Sequence, residues 1–164
     1  NLKRATINEL AKIFDVSPAS FFPESSTLHT LPTTQVRMIP LFETVSAGFG
    51  AYADSHIVDY TPLYIKSDTE AEETLCIRVE GDSMYPKIED GDIIQVHKQD
   101  SVDSGSIAVV LIDGEEGLVK KVVYGDDWIE LHSLNPEYKT KRFEGPEVLR
   151  VRVVGLVKSV IKTL

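Results

Sequence analysis

The sequence predicts a mainly β domain preceded by two short α-helices. Three observations lead there. Apolar side chains recur at helical spacing in residues 6–13; residues 23–37 are rich in Ser, Thr and Pro without periodicity; and beyond them β-rich runs alternate with Gly, Asp and Asn-Pro turns.

In "TINELAKI", Ile7, Leu10 and Ala11 share a helical face, Thr6 is a helix-capping type, and Glu9 follows three residues later, the pattern of a capping box. A second helix starts at "DVSPASFF", where Ser17 caps, Pro18 suits the first helical position, and Phe21 and Phe22 supply an apolar anchor. Residues 1–22 therefore read as a two-helix segment, residues 23–37 as a linker and residues 38–164 as the β domain. Within that domain the strand-like runs are "TLCIRVEG", "DIIQVHK", "SIAVVLIDG", "GLVKKVVYG", "WIELHS" and "VLRVRVVGLVKSVIK", with "IDGEEG" as a hairpin loop. The last run is long for a strand that ends a domain. It reads either as an edge that pairs with a symmetry mate or as an interior strand.

With 164 residues, 42% of them hydrophobic, the chain is large enough for one compact core and a small appendage. A net charge of -9 argues against a broad grip on phosphates, although residues 1–22 carry Lys3, Arg4 and Lys12 against only Glu9 and Asp15. The single cysteine, Cys76, excludes an internal disulfide and, from its alternating neighbours, reads as a buried apolar filler. No run is long enough to span a membrane and no signal peptide opens the chain, so a cytoplasmic location is expected. The chain opens on Asn1 rather than Met, which reads as a piece of a longer protein.

The chemistry centres on residues 81–92, "GDSMYPKIEDGD", where Ser83 follows a strand-like run. A serine needs a base to become a nucleophile. His29, His56, His97 and His132 are scattered, and each reads as readily as a surface or strand residue. One Cys and four such His show no metal-ligand spacing, and no cofactor is expected. A desolvated lysine is the other option, because burial depresses its pKa. In "GLVKKVVY", Lys120 shares a face with Leu118, Val122 and Tyr124, while Lys121 lies with Val119 and Val123. Both faces are apolar, so alternation does not choose between them. Upstream, "TVSAGFGAY" joins small residues to glycines, a composition suited to threading a narrow site or to a loop between two strands. The backbone N–H groups of Asp82 and Ser83 are the natural donors for an oxyanion formed beside Ser83.

Taken together, "EGDSMYPKIEDGDIIQVHK", "GLVKKVVY" with Lys120 37 residues after Ser83, and "VSAGFG" closely resemble the self-cleaving LexA-like repressors, a family that includes phage CI-type repressors and the UmuD proteins. The resemblance covers residues 38–164 and implies a β-barrel-like domain. It implies that Ser83 is the nucleophile, that Lys120 rather than Lys121 is its general base, and that the bond cut is Ala47-Gly48. It also implies a homodimer or higher oligomer, operator DNA as a partner, and stimulation by a RecA filament or an antirepressor. "ATINELAKIFDVSPASFF" resembles the last two helices of a phage-repressor helix-turn-helix domain, whose recognition helix precedes them. Asp82, next to the nucleophile, is expected to raise the pKa of the lysine and slow the chemistry.

Two other functions share parts of this pattern. A membrane signal peptidase has the same Ser-Met-x-Pro motif and a lysine base, but the missing membrane anchor and the two N-terminal helices oppose it. A UmuD-like accessory protein carries an extended arm in place of those helices. A catalytically silent oligomerisation module is the third alternative.

Overall fold

The computed structural model describes residues 9, 11–15, 35–50 and 53–164. The chain divides into two units, Asn1–Thr34 and Gln35–Leu164. In the first, Glu9 and residues 11–14 are helical, within the first helix expected from the sequence, and Asp15 follows with a φ of 50°. The second expected helix, His29 and the linker up to Thr34 lie outside the described residues.

The second unit is one nine-stranded sheet. Its strands are β1 (Gln35–Phe42), β2 (Ile57–Ile65), β3 (Thr74–Arg78), β4 (Ile93–Lys98), β5 (Ile107–Ile112), β6 (Glu116–Tyr124), β7 (Trp128–His132), β8 (Lys141–Glu144) and β9 (Val151–Ile161). They lie in the order β2-β1-β3-β4-β9-β5-β6-β7-β8, antiparallel except for the short β1–β3 pair. Two single-turn helices, α1 (Val45–Phe49) and α2 (Asp68–Glu72), and 3-10 turns at Ala53–His56 and Gly145–Arg150 complete it. The fold is mainly β, as the sequence predicts.

Alternation along β5, "IAVVLI", explains why its residues are almost all buried. Val109 and Leu111 enter one core with Leu75, Ile77, Ile94 and Val96, whereas Ala108, Val110 and Ile112 enter another with Val122, Ile129 and Leu131. A third cluster joins Ile39, Leu41 and Ile65 to Cys76, which is 0% exposed and whose thiol burial pushes up to about 11. Each large aliphatic side chain so buried contributes roughly 1.5–3 kcal/mol. The β5–β6 hairpin turns through Asp113 and Gly114, with φ of 53° and 77°, the left-handed pair that a tight hairpin requires.

Three differences from the sequence reading have physical causes. β1 begins at Gln35, so residues 35–37 belong to the sheet rather than the linker, and Pro40 lies inside a strand. Pro40 is tolerated because β1 meets β3 only at Leu41 and Phe42, leaving one neighbour, β2, alongside it. Second, "TVSAGFGAY" is not an open loop at its centre: Thr44 caps the helical turn α1 by accepting from the Ala47 N–H at 3.1 Å. Third, the terminal run is split. Residues 148–150 close a 3-10 turn, and β9 lies between β4 and β5, not at a free edge, although beyond Leu156 only β4 pairs with it.

Candidate active site

Ser83 sits in the connection from β3 to β4, and three features hold that connection still. Its neck is closed by Val79 N–H to Asp92 O and Gly91 N–H to Val79 O, both at 2.8 Å. Gly81, with a φ of 86° that favours glycine, turns the chain and donates to the Asp90 carboxylate at 2.6 Å. Immediately after the serine, Met84 and Ile88 are 2% and 0% exposed in the core, joined by an Ile88 N–H to Met84 O bond of 3.0 Å. The nucleophile candidate thus projects from an anchored turn.

Lys120 reaches that serine from β6. It pairs with Ala108 of β5, while β7 pairs with β6 only from Lys121 onward, so Lys120 lies where β6 has no β7 partner. Its Nζ is 2.6 Å from Ser83 Oγ, and the residue is only 7% exposed. Burial, with a smaller push from the Lys141 cation, lowers the Lys120 pKa from the ordinary lysine range, and the Glu116 carboxylate opposes that shift. The contact serves either protonation state. A protonated amine donates to Oγ; a neutral one accepts the hydroxyl proton. Lys121 points to the other face and does not make this contact.

A model of the family described as Peptidase S24-like matches residues 40–158, which include both side chains. The chain belongs to this family. The chain is similar to LexA repressors: it is 34% identical over 135 residues to that of Leptospira interrogans serogroup Icterohaemorrhagiae serovar copenhageni (strain Fiocruz L1-130), covering 81% of this chain and 64% of that protein. The LexA repressor of Pelagibacter ubique (strain HTCC1062) is 32% identical over 125 residues, 76% of this chain and 54% of that protein. The one from Ruegeria sp. (strain TM1040) is 36% identical over 85 residues, 51% of this chain and 35% of that protein. The chain therefore spans between 35% and 64% of the length of these curated relatives.

Within the S24-like region, a cavity of about 260 Å³ opens beside the dyad, lined among others by Thr44, Val45, Met84, Val119, Ser83 and Lys120. Residues 43–45 thus line the same space as the dyad, but Ser46, Ala47 and Gly48 do not. Gly48 is buried instead, at a point where a Cβ would stand 3.3 Å from the Phe42 ring, and its N–H bonds Thr44 O at 3.3 Å. The structure brings Ser83 and Lys120 together and holds the Ala47-Gly48 bond apart, inside α1. Among the described residues, no hydrogen bond is found from the N–H groups of Asp82 and Ser83.

Asp82 does not act as the sequence suggests. The carboxylate that raises the Lys120 pKa is Glu116, whereas Asp82 is bonded by the Tyr138 hydroxyl and approached by Asn135 Nδ2 at 3.5 Å. Asn135 and Tyr138 come from the β7–β8 connection and were not singled out by sequence reasoning. Asn135, 7% exposed, donates its backbone N–H to Ser83 O at 3.1 Å and its side-chain amide to Asp82 O at 3.2 Å. Only the turn signal of "LNPEY" was visible. The histidines are engaged elsewhere: His97 lies 3.7 Å from the Glu73 carboxylate and His132 2.7 Å from that of Glu130, while His56 is beside Ser55. Among the described residues no group of His, Cys, Asp and Glu is placed to hold a metal ion, and no helix is long and apolar enough to cross a membrane.

Proposed function

We propose that this chain is the self-cleaving and oligomerising part of a LexA-like or phage CI-type transcriptional repressor, with Ser83 as nucleophile, Lys120 as general base and Ala47-Gly48 as the bond cut. The observation that carries the reading is the 2.6 Å contact between Lys120 Nζ and Ser83 Oγ at a buried amine. Membership of the S24-like family supports peptidase chemistry, and the LexA repressors it resembles support the repressor context.

The reaction requires α1 to open, so that the Ala47 carbonyl reaches Ser83. Neutral Lys120 takes the Ser83 hydroxyl proton as Oγ attacks that carbonyl carbon, and the oxyanion is met by the backbone N–H groups of Asp82 and Ser83. Collapse breaks the C–N bond; Lys120 passes its proton to the Gly48 amine, leaving Ala47 as an ester on Ser83. Water, deprotonated by Lys120, then hydrolyses the ester and restores the dyad. An activator such as a RecA filament formed after DNA damage, or an antirepressor, works by stabilising the opened segment in the site.

Cleavage at this position cuts the covalent link between the expected N-terminal helices, together with β1, and the remainder of the S24-like domain. If those helices complete a DNA-binding module, a dimer linked through the S24-like domain grips two operator half-sites, and cutting converts linked binding into two weak independent events. Derepression follows from lost avidity. The unpaired side of β9 beyond Leu156 is the surface available for that pairing. The test is incubation of the purified protein at alkaline pH with intact-mass analysis. Two fragments ending at Ala47 and beginning at Gly48, absent from Ser83→Ala, support the proposal; cleavage by Ser83→Ala, or at another bond, overturns it.

A further inference from the structure

One residue touches both the acid beside the nucleophile and the base. Asp82, Ser83, Lys120 and Tyr138 line a common cavity of about 270 Å³ on the β7–β8 side of the site. The Tyr138 hydroxyl donates to Asp82 Oδ1, and the Tyr138 ring centroid stands 5.7 Å from Lys120 Nζ. The turn that presents it is internally braced. Tyr138 N–H donates to Asn135 O and Glu137 N–H to Asn135 Oδ1, both at 3.1 Å, while Asn135 is itself tied to the main chain of Asp82 and Ser83.

We propose that Tyr138 is a positioning residue of the dyad, whose hydroxyl holds the Asp82 carboxylate away from the Lys120 amine. The proposal rests on Lys120 being the base of Ser83. A carboxylate within about 4–6 Å of a lysine favours its charged form by roughly 1–3 pKa units, which would keep the base protonated at neutral pH. The other groups facing Lys120 do not perform this task. Glu116 on the same strand is paired with Lys141 of β8 at 3.1 Å, and the two act on Lys120 in opposite directions, Lys141 the more strongly. Beside the cavity Glu43 is paired with Arg78 at 3.3 Å, and Glu80 and Lys139, of opposite sign, are both among the lining residues. Asp82 is the acid adjacent to the nucleophile, and Tyr138 is its partner. The bond to Asp82 in turn raises the Tyr138 pKa above the ordinary phenol value, so the hydroxyl keeps the proton that it donates.

Tyr138→Phe removes the bond and keeps the ring over the amine. The pH dependence of self-cleavage is followed in the full chain, and the Lys120 amine is titrated directly by NMR of 13C-labelled lysine in a Ser83→Ala background, where the chain stays whole. Tyr138→Phe is expected to move both midpoints up by about one unit, a roughly tenfold slower cleavage at neutral pH with a much smaller loss on the high-pH plateau. Adding Asp82→Asn is expected to return both midpoints. A purely structural role for Tyr138 would lower the rate evenly at every pH and leave the lysine titration unmoved. Unchanged midpoints, or a rise that Asp82→Asn does not reverse, overturn the proposal. Should the parent chain fail to cleave itself, the dyad reading falls, while the lysine titration still decides what Tyr138 does.

Discussion

Ser83 and Ala47 lie in two connections of opposite construction. The β3–β4 connection that carries Ser83 is closed at its neck by main-chain bonds, anchored by the buried Met84 and Ile88, and braced from the far side by Asn135. The β1–β2 connection that carries Ala47 holds one helical turn, kept in place by the Thr44 cap, a Ser46 hydroxyl bond to Glu115 O at 2.5 Å, and the packing of Val45 and Gly48. Five residues of helix are far too short to be stable alone, so α1 persists only through these contacts. The contrast teaches where regulation belongs. The proposed dyad is already assembled, whereas the segment proposed to be cut is held by a few local contacts that can be broken.

The largest expected effect lies on the assembled side. Lys120→Ala is expected to lower self-cleavage by about 10²–10⁴-fold, as loss of a general base does, whereas Lys121→Ala leaves it nearly unchanged. Rates from gel densitometry check this; equal losses would mean that the two faces of β6 are misassigned.

Next comes the segment proposed to be cut. A Cβ at Gly117 would stand 2.4 Å from the Val45 Cβ, so Gly117→Ala must displace α1. Overpacking of this kind costs about 1–3 kcal/mol, and 1.4 kcal/mol against the docked turn raises its open population about tenfold. Faster self-cleavage with a lower melting temperature is the expected outcome. A slower rate would show that the docked turn is on the path to the cut rather than holding it back. Ser46→Ala removes one exposed hydrogen bond, worth about 0.5–1.5 kcal/mol, and is expected to speed cleavage by a few fold.

The smallest effect concerns stability. Because the folded chain lowers the Lys120 pKa, the unfolded chain binds more protons at that site, and the resulting penalty is greatest below the folded value. It fades as pH rises through the folded pKa toward the unfolded one, near about 10.4. Lys120→Met should therefore raise the melting temperature at neutral pH, with a gain that shrinks in alkaline buffer. A gain that is constant or grows with pH would contradict the direction of the shift.

The same contrast separates what was legible in the sequence from what was not. The central strands β3 to β7 and β9 were visible because burial forces apolar, β-branched runs, as in "IAVVLI". β1, β2 and β8 were not: Pro40 and Pro62 interrupt the first two, and "KRFE" is a charged strand at the end of the sheet. Such residues are what an exposed edge tolerates, so edges resemble loops in sequence. Val36, Met38, Tyr60 and Tyr64 stand exposed on the β1–β2 pair, which blurs its alternation further. At the site, Ser83 and Lys120 were legible as residue types in a spaced motif. The tie from Asn135 to Asp82 spans 53 residues and joins two turns, and no local pattern carries that information. Likewise α1 is made by the Thr44 cap and a space at Gly117, while "VSAGFG" by itself favours a loop.

If a buried, neutral lysine activates Ser83, the rate of self-cleavage must follow the deprotonation of that lysine. The measurement is made from about pH 6 to 11 on the parent chain and on Ser83→Ala. The rate is expected to rise with pH and level off below the ordinary lysine pKa, with Ser83→Ala inert throughout. A rate that is flat or falls as pH rises would contradict Lys120 as the base.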